Sequence, residues 1–174
     1  MSDLQPSEIL LSEDQIQTRV AELASEIRRD FPDDLHLVAV LKGAFVFLAD
    51  LARQLPENAT LDFMAMSSYG TSTQSSGQVQ VLKDLDTAIE GRDVVIVEDI
   101  VDTGLTLTYL QDILRARAPR RLRTACLLSK PSRRKVEVKV EYVGFTIEDK
   151  FVVGYGLDHA GKYRTLPYIA VLGD

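Results

Sequence analysis

Apolar residues recur along this chain with two different periods, and the changes between them mark out its elements. Ile16, Val20, Leu23 and Ile27 fall at helical spacing. Ahead of them, Ser12-Glu13-Asp14-Gln15 has the form of a capping box, in which the serine and the residue three positions on satisfy the first free N–H groups. An amphipathic helix is predicted over about 13–29. Residues 35–41 form instead an apolar run of strand length, followed by a helical stretch over 44–55. Residues 60–68 read as a strand, 78–83 as a short strand, and 93–98 as a strand that turns into a helix ending near Arg117. Strands over 121–129, 140–147, 151–153 and 168–172 complete the pattern. Strand alternating with helix predicts an α/β fold, a central parallel twisted sheet flanked by helices on both faces.

The chemistry concentrates after the strand at 93–98. Val94, Val95, Ile96 and Val97 run into Glu98 and Asp99, and then into Asp102-Thr103-Gly104-Leu105-Thr106. Two adjacent carboxylates at the end of a buried strand are costly unless they meet partners, for which sugar hydroxyls or a divalent cation would serve. The turn after them offers successive backbone N–H groups at a helix N-terminus, two hydroxyls and a glycine that permits close approach, the makings of a phosphate cradle. It is not a Walker A loop, and Gly154-Tyr155-Gly156 lacks the third glycine of a dinucleotide fingerprint. The ligand suggested is a phosphorylated sugar at the carboxyl edge of the sheet.

Composition narrows the setting. The chain has 174 residues, 45% of them hydrophobic, which suits one domain with a substantial core. No apolar stretch approaches a membrane span, and MSDLQPSEIL has neither the basic region nor the apolar core of a signal peptide, so a cytoplasmic location without membrane attachment is expected. Cys126 lies within an apolar run and reads as a buried, inert thiol. The formal net charge of −6 is uneven: residues 115–139 hold ten of the twenty Lys and Arg and a single acid, Glu137. That segment is either a solvated face or a nucleic-acid surface. It contains no aromatic residue for base stacking, so no nucleic acid is expected as partner. His36, within a predicted strand, reads as a structural or edge-strand residue, and two separated histidines with one cysteine do not suggest zinc.

VEDIVDTGLTL closely resembles the 5-phosphoribosyl-1-pyrophosphate (PRPP) binding motif of type I phosphoribosyltransferases. Three further segments resemble the hypoxanthine (hypoxanthine-guanine) members of that family: Leu41-Lys42-Gly43, Ser67-Ser68-Tyr69-Gly70, and Lys130 with Phe151-Val152-Val153-Gly154-Tyr155-Gly156-Leu157-Asp158 and Tyr163-Arg164. They stand in the family's order over residues 41–164. The resemblance implies the family's fold, with a small hood built from the N- and C-terminal segments, and its reaction: transfer of a phosphoribosyl group from PRPP to N9 of a 6-oxopurine with Mg²⁺. It implies that Glu98 and Asp99 hold the ribose hydroxyls and Mg²⁺, that residues 102–106 receive the 5-phosphate, and that Lys42, Gly43 and Arg164 meet pyrophosphate. Asp102, which by its position alone could be a helix cap or an acid/base, is given proton transfer at purine N7. Lys130 is given the 6-oxo group, Phe151 a stacking face, Val152 backbone contacts, and Asp158 a second Mg²⁺ or the purine edge. Ser68 and Tyr69 are placed at the base of a mobile lid formed by the polar loop 70–77, which by composition could equally be a plain hairpin. A homodimer or homotetramer is implied as well. His159 departs from the pattern, since relatives often carry Tyr there.

Two rivals stand beside this reading. One is an RNA-binding operon regulator of the same fold with weak uracil transferase activity; such proteins carry Tyr where this chain has Asp102. The other is a transferase that prefers xanthine or guanine.

Overall fold

The computed structural model describes residues 5–68 and 79–173. The first half runs β1 (Gln5–Leu11), α1 (Glu13–Asp30), β2 (His36–Leu41), α2 (Phe45–Ala52), β3 (Thr60–Ser68) and β4 (Val79–Lys83). The second runs β5 (Asp93–Val101), α3 (Leu105–Arg115), β6 (Arg121–Ser129), a 3₁₀ turn (Pro131–Arg133), β7 (Tyr142–Thr146), β8 (Val152–Val153) and β9 (Ile169–Gly173).

Helix α1 begins as its sequence requires. The Gln15 N–H donates to Ser12 Oγ at 3.2 Å and the Ser12 N–H donates to Gln15 Oε1 at 2.9 Å. Its stripe of Ile16, Val20, Leu23 and Ile27 is buried.

The main sheet has the order β4-β3-β2-β5-β6-β7. Alternate residues along its strands face opposite layers. Leu37, Ala39, Val95, Val97, Ala125 and Leu127 pack with α1 and α2, while Val38, Val94, Ile96 and Cys126 pack with Leu107, Leu110 and Leu114 of α3. The expected parallel arrangement holds from β3 to β7 and fails at the edge, where β4 pairs antiparallel with β3, so the sheet is mixed. A run of strand-forming residues carries no sign of direction, and an antiparallel strand at the edge of a parallel sheet is a common solution. From β2 the chain passes to β3 on one side and later to β5 on the other. The strand order therefore switches between β2 and β5, and the carboxyl ends of those two strands flank a crevice.

A second sheet of order β1-β9-β8 forms the hood, with both pairings antiparallel. β1 was not apparent in the sequence, because QPSEILL is mostly exposed and gains its extended form by pairing with β9 at the other end of the chain. Smaller differences lie at element ends: β5 continues to Val101, whose ladder with Ser129 of β6 holds it extended, and α3 stops at Arg115.

Two other expectations are settled here. His36 is not on an edge: β2 lies between β3 and β5, and the ring is buried with Nδ1 2.8 Å from Thr60 Oγ1. The basic segment is largely neutralised by acids from elsewhere. Arg117 pairs with Asp84, Arg120 and Arg121 with Asp93, Arg123 with Asp30, and Lys139 with Glu141. Among the described residues no helix is long and apolar enough to cross a membrane.

Candidate active site

The carboxyl ends of β2, β5, β6 and β7 deliver the chemistry to one edge of the main sheet. At the end of β5 lies a cleft of about 230 Å³, lined by Glu98, Asp102, Thr103, Gly104 and Thr106 among polar and glycine positions, and also by Val40 and Met66. Glu98 is buried and Asp99 partly so. Burial, and next the neighbouring Asp99, pushes the Glu98 carboxyl well above its ordinary range. Burial also raises Asp99, opposed by the Ile100 N–H that donates to it and by Arg164. Among the described residues neither carboxylate forms an ion pair. Two carboxyls raised by burial, with no cationic side chain on them, have the donor chemistry for sugar hydroxyls and a hard divalent cation.

The turn after β5 is shaped by glycine. Gly104 is the N-cap of α3 with φ +84°, a left-handed conformation, and a Cβ there would also press on Val138 at 3.0 Å. No side chain caps α3, so Asp102 is not its cap. The Leu105 N–H leans on Thr103 Oγ1 at 3.4 Å, and the Lys135 N–H donates to the Thr103 carbonyl at 2.9 Å. Arg134 braces the turn from behind, donating from Nη1 to the carbonyls of Val101 and Asp102 at 2.7 and 2.6 Å and from Nη2 to Ser129 Oγ.

Lys42 and Gly43 form the loop after β2, and Lys42 is exposed. The Leu41–Lys42 peptide is cis. Gly43 lies against Asp99 on one side and Gly156 on the other, where a Cβ on Gly156 would come within 2.3 Å of the Gly43 carbonyl oxygen. Arg164 Nη1 donates to the Gly156 carbonyl at 2.7 Å, and its Nη2 pairs with Asp158 at 3.1 Å. The structure thus gathers Lys42, Gly43, Asp99, Asp158 and Arg164 on one flank. Asp158 also accepts from the Gly161 N–H at 2.8 Å. Among the described residues no three His, Cys, Asp or Glu side chains converge on one point.

The other flank holds the remaining residues. Val101 of β5 pairs with Ser129 of β6, and the Lys130 N–H donates to the Val101 carbonyl at 2.9 Å, which sets Lys130 beside Asp102. The Lys130 side chain is only 8% exposed and its ammonium lies 3.7 Å from Asp149. Phe151 is 54% exposed, with the His159 ring set edge-on to it at 5.6 Å, while Val152 is buried in β8. Ser68 closes β3; Tyr69 and the loop 70–77 lie outside the described residues.

A family model described as the phosphoribosyl transferase domain matches residues 7–160. This chain belongs to the phosphoribosyltransferase family. It is 51% identical over 165 residues to the hypoxanthine-guanine phosphoribosyltransferase of Bacillus subtilis, covering 94% of this chain and 92% of that protein. It is 48% identical over 165 residues to the hypoxanthine phosphoribosyltransferase of Escherichia coli K12, covering 93% of each. A crystal structure of a hypoxanthine-guanine phosphoribosyltransferase from Bacillus anthracis superposes with a TM-score of 0.93 at 49% identity, covering 97% of this chain and all of that one. The fold of this phosphoribosyltransferase is therefore the expected type I α/β fold, and the operon-regulator alternative is not favoured. Arg133, Arg134 and Asp149 contact the site's residues and were not singled out from the sequence. The available signal was two arginines directly after Lys130-Pro131-Ser132, a place where a parallel strand has just reached the site's edge.

Proposed function

We propose that this phosphoribosyltransferase is a purine salvage enzyme that transfers the 5-phosphoribosyl group of PRPP to N9 of hypoxanthine, and of guanine, giving IMP or GMP and pyrophosphate. The observation that carries this reading is the buried Glu98 carboxyl in one cleft with the hydroxyl-bearing turn at 102–106, with the partly buried Asp99 beside it. The relatives named above support the choice of base.

The bond from the anomeric carbon to pyrophosphate loosens as the bond to N9 forms, and positive charge builds on the sugar. The work of the protein is then positioning and neutralisation. Glu98 and Asp99 orient the ribose hydroxyls. The N–H groups and hydroxyls of Asp102, Thr103, Gly104, Leu105 and Thr106 hold the 5-phosphate. Lys42, Gly43 and Arg164 receive the departing pyrophosphate. On the base side, Lys130 donates to the 6-oxo oxygen, an acceptor that an adenine amino group would not offer. Phe151 stacks on the purine, the Val152 backbone meets its edge, and Asp102 takes the proton from N7 as N9 attacks.

The carboxylates of Glu98, Asp99 and Asp158 suit Mg²⁺, which when bound offsets the charge of the pyrophosphate leaving group. The same reading makes the chain a single cytoplasmic domain that works as a homodimer or homotetramer, a state that light scattering would measure. The test of function is initial rates with PRPP and each of hypoxanthine, guanine, xanthine and adenine, with Mg²⁺ and after chelation. Turnover of hypoxanthine and guanine, abolished by chelation and absent with adenine, is expected. Equal rates with adenine, or full activity without divalent ions, would overturn the reading.

A further inference from the structure

A chain of alternating charges crosses the Lys130 flank of the cleft. Lys130 Nζ lies 3.7 Å from Asp149 Oδ1, Arg133 Nη1 lies 3.5 Å from Asp149 Oδ2, and Arg133 Nε donates to Asp102 Oδ1 at 3.0 Å. Asp102 follows β5, Lys130 follows β6 and Asp149 follows β7, so three adjacent parallel strands bring these groups to one edge. Arg133 enters on the 3₁₀ turn, its N–H donating to the Lys130 carbonyl at 3.1 Å. The segment carrying Asp149 is fixed too: the Ile147 N–H donates to the Ser129 carbonyl at 2.9 Å, and the Lys150 N–H to the Glu148 carbonyl at 2.8 Å.

Magnitudes decide what this network is for. Arg133 and Asp149 are both about half exposed, so their pairing contributes little to stability. Lys130 differs, because an almost buried ammonium needs an anionic partner, and Asp149 is the one ion-pair partner it has among the described residues. Without that carboxylate, Lys130 and Arg133 would also face each other as like charges. What the network supplies is therefore orientation, and the two groups it orients are the base's partners.

We propose that Asp149 is a positioning residue for the base. One oxygen fixes the Lys130 ammonium, and the other, through Arg133, fixes the Asp102 carboxyl. The two are held side by side, as O6 and N7 lie on one edge of a 6-oxopurine. The inference rests on the roles given above to Lys130 and Asp102, and it adds Asp149 and Arg133 to the machinery that selects and activates the base.

Asp149→Asn preserves the side chain's shape and removes the charge that Lys130 and Arg133 share. With hypoxanthine, kcat/KM is expected to fall about tenfold while the KM for PRPP stays within about twofold, and the loss should be non-additive with that of Lys130→Ala, because the two residues act as one unit. Asp149→Glu keeps the charge and should lie closer to wild type than Asn does. Additive losses, a matching rise in the KM for PRPP, an Asn variant within about twofold of wild type, or a Glu variant as impaired as Asn would each overturn the proposal. Wild-type enzyme measured alongside separates this from failure of the proposed function: only the latter leaves the wild type unable to use hypoxanthine with PRPP.

Discussion

Gly43 and Asp99 are in direct contact: a Cβ added at Gly43 would lie 1.7 Å from Asp99 Oδ2 and 2.7 Å from the carboxyl carbon. The loop after β2 and the Asp99 carboxylate of β5 can occupy their places together only because residue 43 has no side chain. Gly43→Ala is therefore expected to displace Asp99 or the loop and to lower kcat/KM for PRPP on the order of 10²-fold, the scale of a misplacement of about 1 Å. The fold should survive, which circular dichroism would show. Kinetics within a few-fold of wild type would mean that the contact is not needed.

Asp102 separates proton transfer from helix capping. Since α3 opens at Gly104 with no side-chain cap, Asp102→Asn removes no capping interaction, and stability should change by less than about 0.5 kcal/mol. Loss of the titratable group should lower turnover on the order of 10²- to 10⁴-fold, with PRPP affinity nearly unchanged. Single-turnover rates and PRPP titrations on the same preparation check both halves. A variant that loses stability and keeps its rate would reverse the assignment.

At the opposite edge of the sheet, the Asp93 side chain is fully buried beneath two guanidinium groups. Arg120, and next Arg121, hold its carboxyl well below the usual carboxylate range against the cost of burial. A depressed folded pKa means that this stabilisation is complete above the unfolded value of about 4 and is lost as the pH falls through the folded value. Both arginines are substantially exposed, so Asp93→Asn is expected to cost only about 1–2 kcal/mol at pH 7. The gap from wild type in urea melts should narrow progressively below about pH 4. A gap independent of pH would show that shape rather than charge is what Asp93 supplies.

Cys126 sits in β6 beneath α3, and burial pushes its thiol up to about 12. Native protein should resist iodoacetamide at pH 8 and react fully once unfolded, because the thiolate is the nucleophile. Stoichiometric labelling of folded, active protein would contradict the burial.

The sequence made legible whatever depends on neighbours within a few positions. The capping box and stripe of α1, the apolar strand leading into Glu98 and Asp99, and the glycine turn before α3 are local patterns with local causes. The misses depended on residues far away in the chain. β1 is extended because β9 pairs with it, the direction of β4 shows only in its pairing with β3, and His36 is central because the strand order places β3 and β5 around it. The same limit hid Asp149 and Arg133, whose parts in the site come from which strand ends beside which. The partners of the basic segment were likewise out of reach of local pattern, since the acids that pair with it include Asp30, Asp84 and Asp93.

The hood has a consequence for biosynthesis. Its central strand, β9, is the last element of the chain, and both β1 and β8 pair only with it. The strands of the main sheet lie within residues 36–146, with Glu98, Asp99 and the turn 102–106 among them, and pair over shorter separations than β1 with β9. The hood is completed by pairing β1 with β9, Gln5 opposite Gly173, the most distant strand pairing among the described residues and the kind of non-local contact that forms slowly. During synthesis, therefore, the hood, with Phe151 next to β8, is expected to form after the main sheet.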